Sequence, residues 1–252
     1  MKQIEEDLFV REMMFGSKQP KWRQYASFVI SRPTVLSLLS YELRTLFLGS
    51  LPGALGLVLR RKFYRSLFRR VGRNCVIGRD VIIRHGANVS LGDNVVIDDH
   101  CVIDGRGAGE AGVEIGDNVI VNRGTVIQSK LAGIHIAANV NIGAQSVIAS
   151  QGDPVQIGEW CQIAGGCKIV GGRFSMSANV QDGMPLVRSS AGPINIGRNC
   201  FIGMGAIIVD GVTIGEGCAI GPGAVVMSAL KPHSVFMQRP GMVVGSTTQA
   251  ET

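Results

Sequence analysis

Residues 214–226 read IGEGCAIGPGAVV, with Ile214, Ile220 and Val226 six apart. A strand repeats every two residues and a helix every 3.6, so neither accounts for this spacing. The same interval groups aliphatics in threes back along the chain. The groups are Val71, Ile77, Ile83; Leu91, Ile97, Ile103; Ile115, Val121, Ile127; and Ile136, Ile142, Ile148. Then come Ile157, Ile163, Ile169; Ile196, Ile202, Ile208; and the opening triplet itself. All 21 positions are Ile, Val or Leu, and extra residues occur only after the third member, 2, 6, 3, 3, 21 and 0 in turn. Insertions confined to one corner describe an 18-residue coil with three flat sides.

Each side is a short strand with its aliphatic pointing inward. Ten of the 21 aliphatics are followed by Gly, for which a positive φ at a tight corner is the expected reason. Stacked coils pair as parallel strands about 4.8 Å apart. No single coil buries its own inner face, so the stack must fold as a solenoid. The spacing predicts an all-β, triangular parallel β-helix of about seven coils over residues 71–230, with an α-helical region before it. Residues 173–195 form an extruded loop and 231–252 a C-terminal tail.

Cys75, Cys101, Cys161, Cys167, Cys200 and Cys218 each lie four residues after one of these aliphatics, a position also filled by Val81, Val95, Ala206 and Ala224. That regularity reads as small apolar core filler. It fits neither a disulfide framework nor close CxxC-type zinc pairs, so no metal is expected.

Charge is unevenly placed: residues 1–73 carry 14 Lys+Arg against 5 Asp+Glu, and the remainder 11 against 14. The acidic opening MKQIEEDLFV has no long apolar run, so no secretory signal is expected. The longest uncharged apolar stretch, Thr45 to Leu59, holds 15 residues, short of the roughly 20 that cross a bilayer as a helix. Ser50 reads as the cap of a helix starting near Pro52, with Leu55, Leu59, Phe63 and Leu67 as its apolar stripe. Arg60, Arg61, Lys62, Arg65, Arg69 and Arg70 crowd its other faces. Residues 44–73 therefore read as a peripheral contact with anionic membrane, as a cap on the open end of the solenoid, or as both. PTVLSLLSYEL (33–43) reads as another short helix. Nucleic acid is not an expected partner, because no binding motif appears and the coils are net acidic.

The repeat resembles that of the hexapeptide-repeat acyltransferases, whose pattern is aliphatic-Gly-x-x-small-x. PINIGRNCFIGMGAIIVDGVTIGEGCAIGPGAVV (193–226), SLPGALGLVLRRKFYRSLFRRVGRN (50–74) and VVIDDHCVIDGRG (95–107) are similar to stretches of bacterial sugar and polysaccharide O-acetyltransferases. This resemblance implies a left-handed β-helix, a homotrimer with sites in the grooves between subunits, and acetyl-CoA or another acyl-CoA as co-substrate. It also implies a histidine that takes a proton from a sugar hydroxyl, the sugar belonging to a surface polysaccharide or a lipid-linked saccharide. The place implied is cytoplasmic, at the inner face of the bacterial cytoplasmic membrane.

In such enzymes the histidine lies on the long loop just after a stretch like KIVGG. Here KIVGGRFSMSANV (168–180) puts Arg173 and Phe174 there, and 173–195 contains no histidine. Arg stays protonated and cannot be the base, so Arg173 and Phe174 become acceptor-binding candidates. Among the four histidines, His233 reads as turn filler and His85 as the cap of a helix end. His135 reads as a solvated corner or a second catalytic candidate. His100, in VIDDHCVID, is the preferred base, at the second corner beside Asp98 and Asp99, with Asp99 as its catalytic partner. Gln145 falls in the same column two coils higher, where the resemblance places an acceptor-side amide. For coenzyme A the candidates are Phe201, Gly203, Gly205, Gly221 and Gly223 on the closing coils, and Arg239 in QRPG. The rival expectations are a lapsed trimeric scaffold that has lost the base, and a transferase fed by an acyl carrier protein.

Overall fold

The computed structural model describes residues 20–31, 33–107, 112–130, 132–171 and 191–238, and the backbone of 173–176 and 186–189. Three parallel sheets form the sides of a β-solenoid. The first side stacks seven strands, from Arg70–Val71 through Val89–Leu91, Val113–Ile115, Ile134–Ile136, Val155–Ile157 and Ile194–Ile196 to Thr213–Ile214. The second runs from Val76–Ile77 to Ala219–Ile220, and Val235–Phe236 pairs with the latter as an eighth strand. The third runs from Ile82–Arg84 to Val225–Val226. The strand pairing extends beyond residue 230, so part of the tail continues the second side.

The six-residue period sets the register throughout. Val71, Leu91, Ile115, Ile136, Ile157, Ile196 and Ile214 lie opposite one another down the first side. The other two columns stack in the same way. All of these aliphatics are buried except Val71, which is half-buried where the first coil meets the helices. The six cysteines are free, buried members of the same core.

The glycines that follow the aliphatics have another reason than the one expected. None has a positive φ. A Cβ on Gly143 would lie 2.3 Å from the backbone nitrogen of Gly165, so this glycine permits close approach of the next coil. The left-handed residue comes two places later and is often not glycine. At the first corner it is Asn74, Asn94, Asn118, Asn139, Trp160, Asn199 and Gly217. Asn tolerates this conformation through its short polar side chain, and four of these form a ladder. Each amide donates to the next carbonyl, Asn74 to Asn94, Asn94 to Asn118 and Asn118 to Asn139, at 2.9–3.2 Å.

Among the described residues three α-helices precede the coils: α1 (Lys21–Val29), α2 (Val35–Leu48) and α3 (Gly53–Phe63). A reciprocal capping box between Thr34 and Ser37 starts α2, which runs longer than the 33–43 stretch suggested. Ser50 does not cap α3; its hydroxyl donates to Asp80. The expected apolar stripe is not the buried face either. Leu55 and Phe63 are exposed, while Gly56, Arg60 and Tyr64, spaced by four, face inward. Arg60 is 1% exposed and donates to the carbonyls of Ile77, Leu48 and Leu51 at 2.7–3.0 Å. Five fixed N–H donors let a guanidinium serve several carbonyls that end α2 and begin α3. Tyr64 and Phe68 then join the end of the solenoid core.

Candidate functional site

His135 is the central residue of the strand Ile134–Ile136, not a corner residue. Its neighbours point inward, so its imidazole points outward from the first side. The three extra residues between the third and fourth coils set its register, which places it opposite Glu114 on one side and Gln156 on the other. Its Nδ1 lies 3.3 Å from Glu114 Oε2. A carboxylate at that distance orients the ring. The pair opens onto a cavity of about 400 Å³, also lined by Arg70, Ser90, Asp117 and Glu159. Three carboxylates against the one guanidinium of Arg70 leave the lining net acidic.

Trp160 follows Glu159 at the adjoining corner of the fifth coil. Its φ is +61° and it is 57% exposed. A bulky residue in this conformation is strained, by about 1–3 kcal/mol, and strain of this kind clusters at functional sites. Its column is legible in the sequence, where an exposed tryptophan interrupts a run of asparagines, yet nothing in the hexapeptide pattern marks it. Its exposed indole, one residue beyond Glu159 and outside the cavity lining itself, is a stacking surface for a flat or weakly polar ligand face.

His100 sits at the second corner of the second coil, with φ +61°, in one column with Asp80, Gly124 and Gln145. The carboxylate beside it is Asp80, 3.7 Å from Nδ1, not Asp99. Asp80 already accepts from Ser50 and lies 3.3 Å from Arg79. Asp99 accepts the Arg79 backbone N–H at 2.7 Å and lies 3.7 Å from Arg123. His100 and His135 therefore belong to different corners and sides, and the structure does not bring them into one site. Gln145 is exposed, two coils from His100. His85 is buried and donates from Nε2 to the Phe28 carbonyl at 3.1 Å, capping the end of α1. His233 occupies the corner under Gly217.

The four closing-coil glycines divide by cause. A Cβ on Gly203 would meet the backbone of Gly221 at 2.7 Å, and one on Gly221 the side chain of Met237 at 3.1 Å. These two serve stacking. Gly205 and Gly223 have φ +69° and +65° with nothing within 4 Å of a Cβ, so the corner outside them is bare. Phe201, Met204 and Met237 are exposed around it. Arg173 and Phe174 lie in a strand pairing antiparallel with 186–189, so the extruded loop begins as a two-stranded ribbon. Arg239 lies outside the described residues. Among the described residues there is no group of His, Cys, Asp and Glu that would hold a metal.

Comparison with curated proteins finds no match. Among solved structures, a variant of AntD, an N-acyltransferase from Bacillus cereus in complex with dTDP and coenzyme A, superposes with a TM-score of 0.50. The two are 22% identical over 72% of this chain and 85% of that one. A maltose O-acetyltransferase from Clostridium difficile 630 is 20% identical over 84% of this chain and 86% of its own, with a TM-score of 0.38. The likeness to AntD, at this identity, establishes a shared fold alone. The model described as bacterial transferase hexapeptide (six repeats) matches residues 193–227. That described as hexapeptide repeat of succinyl-transferase matches 70–99, 95–129 and 133–169. Together they span a little over half of the chain, on the segments where the six-residue register stacks, and the chain belongs to the bacterial hexapeptide-repeat transferase family.

Proposed function

We propose that the protein transfers an acyl group from an acyl-CoA to a sugar, with the imidazole of His135 as general base. The observation that carries this reading is the His135–Glu114 pair, 3.3 Å apart, opening onto a cavity. The nitrogen facing the cavity takes the acceptor proton while the acceptor attacks the thioester carbonyl. Collapse of the tetrahedral intermediate expels the coenzyme A thiolate, which recovers the proton. Glu114 orients the ring; Trp160, at the corner next to Glu159, supplies an apolar face for the sugar. The bare corner at Gly205 and Gly223, with Phe201 beside it, suits the pantetheine arm. Coenzyme A in the AntD structure and the transferase family itself support the choice of donor. The acidic lining favours an amino sugar, whose ammonium it attracts, and a polysaccharide or lipid-linked hydroxyl is the other acceptor class. The active form we propose is a homotrimer, with the cavity in the groove between neighbouring subunits.

Thiol release from acetyl-CoA, measured against a panel of amino and neutral sugars, tests this reading. His135→Ala lowers turnover by about 10²–10⁴-fold, the span of a general base, whereas His100→Ala leaves it unchanged. Wild-type turnover in the His135 variant overturns the assignment. A lapsed scaffold is the second reading, favoured by the loop that carries no histidine. It predicts no thiol release and no calorimetric binding of acetyl-CoA.

A further inference from the structure

The outward face of α2 is apolar along its length. Leu36, Leu39, Leu43 and Leu46 recur at helical spacing, and with Val35 and Phe47 they are 45–80% exposed. Leu55 and Val58 of the adjoining α3 are 65% and 64% exposed. An apolar patch of this extent on a soluble surface marks a contact with something. The neighbouring stripe of α2, Ser37, Ser40, Tyr41 and Arg44, lines a cavity of about 530 Å³ against the first coil. Arg69, Ser31 and Ser66 line its other walls. Among the described residues Arg44 has no hydrogen-bond or ion-pair partner, and the Ser31 hydroxyl is buried with none. Residues 20–73 hold 11 Lys+Arg and a single acid, Glu42.

We propose that this end of the molecule docks on an anionic lipid bilayer. The face of α2 with Leu55 and Val58 lies among the acyl chains, and the cavity of Arg44, Arg69 and the serines holds a headgroup phosphate. Charge selects the occupant. A second copy would set one strongly basic surface against another, whereas an anionic bilayer neutralises both the cavity and the exposed Arg61, Lys62 and Arg65. The apolar contact differs from the one expected from sequence: it lies mainly on α2, because the inward face of α3 is taken by Arg60 and Tyr64. The inference is independent of the transfer reading, since it uses none of that site's residues.

The test is flotation of the full chain with vesicles of phosphatidylcholine alone and of phosphatidylcholine mixed with phosphatidylglycerol, with molar mass measured in parallel. The chain floats with the mixed vesicles and is released by high salt. Leu36→Asp with Leu39→Asp lowers partitioning about tenfold or more, and Arg44→Gln lowers it about fivefold on the mixed vesicles alone. Circular dichroism checks that these exposed substitutions leave the fold in place. Wild-type chain that stays unbound, or variants that float equally well, overturns the proposal. A Leu36/Leu39 variant that loses oligomer mass, in a chain that never floats, assigns the face to a subunit contact instead.

Discussion

Trp160 and His135 show how one residue acquires a meaning from its neighbours. At the first corner the left-handed position is filled by asparagine in five coils, by glycine in one, and by tryptophan in the coil that borders the acidic cavity. Asparagine there would stand between Asn139 and Asn199 and relieve the strain of a bulky residue at φ +61°. Trp160→Asn therefore keeps or raises the thermal midpoint while raising the acceptor KM about three- to tenfold, as loss of an aromatic contact worth about 1 kcal/mol requires. An unchanged KM removes the indole from the site, and a lowered midpoint makes it a packing residue. His135 itself was visible in the sequence, and its column put Glu114 in line with it, but their contact was not. Glu114 lies 21 residues away, and the stacked strands bring it alongside.

At the scale of elements, α1 is held on the solenoid by a small set of polar contacts. His85 donates its backbone N–H to Val29 and its Nε2–H to Phe28, while the Phe28 ring lies 5.0 Å from the Arg84 guanidinium and 4.4 Å from that of Arg106. Burial holds the His85 imidazole below its ordinary value of 6.5. Unfolded or undocked, His85 binds a proton near 6.5; docked, it binds one only at lower pH. In that window the undocked state carries more protons, so docking weakens as the pH falls below about 6.5. The hydrogen-exchange protection factors of residues 21–29, taken relative to the intrinsic rate at each pH, fall on acidification through this range. His85→Asn, which tolerates the φ of +50°, removes the pH step. An identical step in that variant assigns it to other groups. The same local logic holds α3. At Gly56 a Cβ would lie 2.0 Å from the Leu51 carbonyl and 2.9 Å from the Arg60 guanidinium, so glycine there admits the arginine.

Across the whole molecule the coils touch only their neighbours, so stability is close to a sum over coils and opening starts at the ends. The buried cysteines report this directly, since they occupy the first, second, fifth, sixth and seventh coils. Burial pushes the Cys101 thiol up to about 11 and those of Cys75 and Cys167 upward, while the hydrogen bond between Cys161 and Cys200 raises the first and lowers the second to about 7. Native protein reacts slowly with a thiol reagent because all six are buried, Cys200 included. In mild denaturant Cys75 and Cys218, in the terminal coils, are labelled before Cys161 and Cys167. Simultaneous labelling of all six, read by mass spectrometry, would show a single cooperative unit. No described helix is long and apolar enough to cross a membrane, which leaves the exposed face of α2 as the surface on which lipid docking rests.

The sequence by itself determined the solenoid, its corner of insertion and the inward column of every coil. Those features follow from a period of six that each coil repeats within its own residues, so no distant contact is needed to read them. It also marked the chain's basic front end and the loop that lacks a histidine. Tertiary structure decided what the outward residues do. The columns align Glu114 with His135 and Asp80 with His100, but which outward side chains come within hydrogen-bond or ion-pair reach emerges only when the strands are stacked. The buried face of α3 was likewise decided by the carbonyls that Arg60 could reach. A helical pattern alone ranks apolar residues inward, whereas unsatisfied backbone groups at a helix junction draw in a guanidinium and leave leucines outside.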